Sequence, residues 1–244
     1  MSGPVMAGFA LLLLGALVAP IALLIVLGVR RKIRMDALFL GVSAFFVSQI
    51  LLRLPLLRWL AGRGLWMDFA LRHGLAYLLA LALSAGLFEE TARLAGGKLL
   101  RRTPDWTDAL SFGLGHAFCE TILLVGVTQI NNLVLGALLH AGGTELLARW
   151  MPSSQVQTLL AQLAQATPGD LALSLIERLG TVGIHLGLTT LVFRGLVTRQ
   201  ARYYLMAVGL HTVVDFVAPL FVQIVTPVAA EALIVGFGLL GAAY

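Results

Sequence analysis

The sequence predicts an all-α, polytopic membrane helical bundle of about seven transmembrane helices, with a polar site in the cytoplasmic half. Composition is the first sign: of 244 residues, 59% are hydrophobic and 12% charged, with a mean hydropathy of +0.93. A soluble domain carries roughly twice that charged fraction. Apolar runs that fit a bilayer recur along the whole length. Finally, ionisable residues stand four apart inside apolar helical sequence, where they are costly and usually mark function.

The expected spans lie near 5–29, 36–57, 72–97, 106–138, 172–197, 202–222 and 226–243. In the first, the positive cluster follows the apolar run instead of preceding it, which favours a retained helix over a cleaved signal peptide. The fourth is too long for one straight span and is expected to break near Gln129–Asn132 or to leave the membrane. Asp105 and Asp108 suit the start of that helix as caps. From about 140 to 170 the chain turns polar. There Trp150, Met151 and Pro152 precede Val156, Leu159, Leu160 and Leu163 at amphipathic spacing, which predicts a short helix on the outer surface. Residues 1–244 read as a single integral membrane domain, without repeats or soluble linkers.

Arg30, Arg31, Lys32 and Arg34 fill the first connection, Lys98, Arg101 and Arg102 the third, and Arg194, Arg199 and Arg202 the fifth. These connections share one side, so that side is expected to be cytoplasmic, with the N-terminus outside a cell (inner) membrane. Arg53, Arg58, Arg63 and Arg72 lie around the second connection and oppose this orientation. The net charge of +5 is accounted for by these anchors. No motif or aromatic-basic stripe points to nucleic acid. The single cysteine, Cys119, sits in apolar sequence and reads as a small hydrophobe.

The ionisable residues fall in FEETAR (Glu89, Glu90, Arg93), FGLGHAFCE (His116, Glu120), TVGIHLGL (His185) and LHTVVDF (His211, Asp215). At about 1.5 Å of rise per residue, the carboxylate pair lies about 12 Å from the cytoplasmic end of its helix. His116 lies about 15 Å in, His185 about 17 Å and His211 about 13 Å. Unrelated structural polar residues are not expected to share a depth. Asp215 and Glu120 follow their histidines by one turn on the same face. The bland alternatives are a buried Glu89–Arg93 ion pair, packed histidines, and glycines (Gly113, Gly115, Gly183, Gly187, Gly209) that serve helix packing rather than make room for substrate.

These segments resemble the YhfC-type intramembrane peptidases, within a wider group containing the CAAX-processing and bacteriocin-processing (CPBP) proteases and the PrsW-type proteases. That group is marked by a Glu-Glu pair followed by a basic residue, then Phe-x-x-x-His, then His-x-x-x-Asn or Asp. Here these are Glu89-Glu90-Thr91-Ala92-Arg93, Phe112 to His116, and His211 to Asp215. Arg93 stands one position earlier than the basic residue of the CAAX-processing branch, and Asp215 replaces its common Asn.

The resemblance implies peptide-bond hydrolysis in the membrane by a glutamate-activated water, acting on a membrane protein or peptide. Glu89 is the expected base, with His116 sharing the water and Glu90 and Arg93 tuning it. His211, oriented by Asp215, is expected to stabilise the oxyanion. Glu120 and His185 complete the candidate site, His185 as a third site histidine or a supporting donor. A metal version is open: Glu89, His116, His185 and His211 are the candidate ligands, with zinc as the candidate ion. Two rival classes use the same residues: a proton-coupled transporter or channel, and a non-catalytic scaffold that binds a partner helix.

Overall fold

The computed structural model describes residues 3–140, 145, 147, 149, 152–224 and 227–243. The described elements are helical, as the composition predicts. They are α1 (Gly3–Val29), α2 (Met35–Ala61), α3 (Gly64–Arg72), α4 (Gly74–Leu99), α5 (Trp106–Leu138), α6 (Ser153–Gln165), α7 (Pro168–Thr198), α8 (Ala201–Ile224) and α9 (Pro227–Ala243). Among the described residues, six helices are long and apolar enough to cross a membrane: α1, α2, α4, α5, α7 and, over Ala201–Phe221, α8. The seventh expected span is helical but only 17 residues long in α9.

Helix α5 runs unbroken through Gln129–Asn132, so the expected break does not occur there. Its irregularity is instead a π-helical segment at Thr121–Gly126, directly after Glu120. Helix α2 carries another at Phe46–Arg53. Within the polar stretch, Ser153–Gln165 is helical (α6), with Val156 and Leu163 buried. Trp150, Met151 and the side chains of Leu159 and Leu160 lie outside the described residues.

Two compact units can be distinguished. One comprises Met1–Leu24 and Thr121–Arg178, where Phe9, Leu12, Leu163 and Leu171 form a small apolar cluster. The other comprises Ile25–Glu120 and Leu179–Tyr244 and holds every candidate site residue. Its core is built on Ala37, Ala44, Phe112, Leu188, Val192, Phe193 and Ala207. The α2–α5 crossing in this unit is backbone-tight at two points. A Cβ on Gly41 would lie 2.0 Å from the Phe112 carbonyl oxygen, and one on Gly115 would lie 2.2 Å from that of Leu38. Small residues are what allow membrane helices to approach so closely. Gly183 does the same against Gly238. Gly209, in contrast, faces open space.

The connections at one end of this unit are tied by charge. Arg34 bridges Asp105 (2.6 Å) and the fully buried Asp108 (2.7 Å). Arg102 bridges Asp36 and Asp108, each at 2.5 Å. Asp105 Oδ1 accepts the Asp108 N–H (3.0 Å), and Asp108 Oδ2 accepts the Asp105 N–H (3.2 Å), so the two do cap α5. Hydrogen bonds to Asp108 and Asp105 hold Arg34 above its ordinary pKa. Burial pushes the Asp105 carboxyl up, but the Asp108 N–H and Arg34 outweigh it and hold it below the usual range.

Candidate active site

Adjacent residues on a helix point about 100° apart, and α4 uses this to send its two carboxylates to different neighbours. Glu89 faces α2 and α5. Its Oε1 accepts the amide of Gln49 (2.6 Å), and its Oε2 lies 2.9 Å from His116 Nε2. Glu90 faces α8. Its Oε1 takes both the Arg93 guanidinium and His211 Nδ1, the latter at 2.7 Å. Arg93 therefore pairs with Glu90 and not with Glu89.

From Arg93 the network continues into α7 and α5. Its Nη2 lies 3.0 Å from His185 Nδ1, and His185 Nε2 lies 2.7 Å from Glu120 Oε2. Glu120 thus serves His185 on another helix, although it stands one turn from His116 in sequence. Likewise, Glu90 is the hydrogen-bond partner of His211. Asp215, expected in that role, lies 3.6 Å from His211 Nε2, outside hydrogen-bond distance. The fold brings all of the expected residues together, on α4, α5, α7 and α8. Glu90, Arg93 and His116 have no exposed surface, and Glu89, His185 and His211 are buried. Asp215 is the open member, with 39% of its side chain exposed.

Arginine can only donate and an ionised carboxylate can only accept, and together these set the tautomers of two histidines. His185 Nδ1 must accept from Arg93, so the proton of a neutral His185 sits on Nε2 and is donated to Glu120. His211 is the reverse. Its Nδ1–H goes to the Glu90 carboxylate, and its Nε2 faces Glu89 Oε2 at 3.8 Å. The three imidazoles are neighbours, with ring centroids 4.9 Å apart for His116 and His185 and 5.9 Å for His185 and His211. Phe45 closes over His116 edge to face.

The donor set suits a borderline metal. Ligand atoms of Glu89, His116 and His185 all lie within 4.8 Å of one another and are buried. Zinc bonds of about 2.0–2.2 Å in a tetrahedron separate neighbouring ligands by about 3.4 Å. Glu89 Oε2 lies 2.9 Å from His116 Nε2 and 3.8 Å from His211 Nε2, on either side of that value. Glu89, His116 and His185 are thus the group whose donor atoms lie close enough together to hold an ion such as zinc, and His211 Nε2 is a further imidazole nitrogen near the same Glu89 oxygen.

Gln49 and Arg53 on α2 also belong to the site, although only ionisable pairs on other helices single it out in sequence. Arg53 Nη1 donates to Gln49 Oε1 (3.0 Å), its Nη2 to the Leu81 carbonyl (2.9 Å) and its Nε to Ser84 Oγ (3.0 Å). The signal that finds them is the same four-residue spacing, Gln49 to Arg53, inside FFVSQILLRL.

Among known proteins, the model of a family described as "YhfC intramembrane metalloprotease" matches residues 14–235. An uncharacterised membrane protein, YhfC of Bacillus subtilis strain 168, is 28% identical over 208 residues, covering 84% of this chain and 81% of that protein. No solved structure matches.

Proposed function

We propose that this chain, which belongs to the YhfC intramembrane metalloprotease family, hydrolyses peptide bonds in membrane-embedded segments at the cluster around Glu89. One observation carries the proposal. His116 Nε2 and His211 Nε2 lie 2.9 and 3.8 Å from a single oxygen, Glu89 Oε2, and all three residues are buried on different helices. Water brought to that point meets a base and two imidazoles at once.

In the metal-free arrangement Glu89 Oε2 takes a proton from the attacking water as the new C–O bond forms. It returns the proton to the departing amide nitrogen as the C–N bond breaks. His116 holds the water from the other side. As an imidazolium, His211 donates Nε2–H to the oxyanion while Glu90 keeps its Nδ1–H oriented. As a neutral imidazole, the same His211 nitrogen offers a lone pair to a cation.

Zinc would be held by Glu89, His116 and His211. Its contribution there is Lewis acidity, which polarises a carbonyl and makes water acidic. His185 is the poorer ligand, because Arg93 occupies its Nδ1 and its Nε2 carries a proton. With Glu89 engaged as a ligand, Asp215 is the open carboxylate left to exchange protons with solvent.

The test is peptide release by the purified protein in lipid, with a pool of membrane-segment peptides read by mass spectrometry. Fragments are expected from the unmodified protein, not from Glu89→Gln or His116→Ala, and are lost on chelation if zinc is used. Fragments that persist in Glu89→Gln would overturn the assignment. A transporter would give flux that Glu89→Gln abolishes and no fragments from any form. A scaffold would keep partner binding in Glu89→Gln.

The proposed setting is a cell (inner) membrane, with the N-terminus outside. Arg53 is bonded within the helix cluster at Gln49, Leu81 and Ser84, so it drops out of the outer-loop charges that oppose this orientation.

A further inference from the structure

Glu89 has two oxygens, and only one faces the imidazoles. The other, Oε1, accepts from Gln49 at 2.6 Å. A glutamine amide can face either way, and crystallographers assign it from its neighbours. Here the neighbour decides: Arg53 has donors only, so the Gln49 oxygen must face Arg53 and its NH₂ must face Glu89.

Arg53 is itself fixed at three points. It bonds Gln49, the Leu81 carbonyl and Ser84, the last two on the same helix α4 that carries Glu89. Gln49 is buried, 3% exposed, and Ser48 beside it is 1% exposed. Both Gln49 and Arg53 lie in the π-helical segment Phe46–Arg53. Such segments are rare and cluster at functional sites. A buried glutamine beside a half-buried arginine is costly in an apolar helix unless the polar groups are matched.

We propose that Gln49 and Arg53 form a positioning clamp on the Glu89 carboxylate, which occupies Oε1 and leaves Oε2 as the single oxygen presented to water or zinc. This rests on the proteolytic proposal for its consequence, but not for its geometry. Neither residue touches the reacting atoms. Hydrogen-bond partners of ligands and bases commonly contribute about 10–100-fold in activity or metal affinity. Lysine at 53 keeps the charge but cannot make three directed bonds in one plane.

The experiment has two arms. In the first, Gln49→Met and Arg53→Lys are assayed for peptide release, with the unmodified protein beside them. A fall in kcat of about 10–100-fold with KM within twofold is expected for Gln49→Met, with a smaller fall for Arg53→Lys. The second arm needs no activity. The infrared carboxylate band of Glu89, identified by its loss in Glu89→Gln, should shift in Gln49→Met while thermal unfolding stays cooperative. An unshifted band, or a kcat within twofold of the unmodified protein, would overturn the clamp. If the unmodified protein releases no peptide, the proteolytic proposal falls and the infrared band alone decides the clamp.

Discussion

At the scale of single residues, identical side chains acquire different jobs from one hydrogen bond each. His185 and His211 are both buried, and both lie beside carboxylates. Arg93 takes the lone pair of His185 Nδ1, whereas Glu90 takes the proton of His211 Nδ1. His211→Ala should therefore abolish stoichiometric zinc binding by the purified protein. His185→Ala should weaken it by about 10–100-fold without removing it, as expected for a supporting partner. Zinc content after dialysis, followed by competition with a chromogenic chelator, measures both. Arg93 carries a different consequence. Arg93→Met leaves the Glu90 carboxylate buried without its cation and should destabilise the protein by about 3–5 kcal/mol. Adding Glu90→Gln should recover much of that loss in a thermal-unfolding double-mutant cycle.

Elements matter here through their backbones. The α2–α5 crossing places Gly41 against the Phe112 carbonyl, and Phe112 is one turn from His116. Gly41→Ala must push the two helices apart, at a cost of about 1–3 kcal/mol from overpacking. It should also lower peptide release, because Gln49 and His116 ride on the displaced helices. Gly209→Ala is the control. With nothing near its Cβ, it should be neutral or stabilise by up to about 1 kcal/mol through helix propensity. At the end of α5, the charge ties predict a pH dependence. Asp105 titrates lower in the folded protein than its unfolded value near about 4. Its contribution is thus complete above about pH 4 and is lost as pH falls through the lower folded value. Asp105→Asn should melt below the unmodified protein at pH 7, and the gap should close in acid.

For the molecule as a whole, orientation in the membrane is the open quantity with the clearest test. Arg30, Arg31 and Lys32 lie after α1, Lys98 lies in the last turn of α4 and Arg101 follows that helix. The positive-inside rule places both groups in the cytoplasm. With Arg53 bonded within the helices, Arg58, Arg63 and Arg72 remain on the other side. Of these, Arg72 pairs with Asp68, and Arg63 stacks on Trp59. Cysteines placed at Lys32 and Lys98, in a background with Cys119→Ala, should resist an impermeant thiol reagent in intact cells. A cysteine at Gly62 should react. The reverse pattern would turn the protein over and move the site to the outer half.

By itself, the sequence determined the helical class, most span positions and most of the polar cluster. Periodicity and hydropathy are local properties, and Glu89, Glu90, Arg93, His116 and His211 each break an apolar pattern at a fixed helical spacing. Family membership was legible in the same residues. Local pattern specifies which face of a helix a side chain occupies, but not which neighbour waits there. Glu120 shares a helix with His116 yet bonds His185, and His211 shares one with Asp215 yet bonds Glu90. Arg53 resembled a loop charge until its three partners on two helices were in view. The length of α5 was evident, but its π-helical segment at Thr121–Gly126 was not. Those pairings follow from which helices cross, and at what register. That is decided by backbone contacts such as Gly41 on Phe112, which only the tertiary structure brings together.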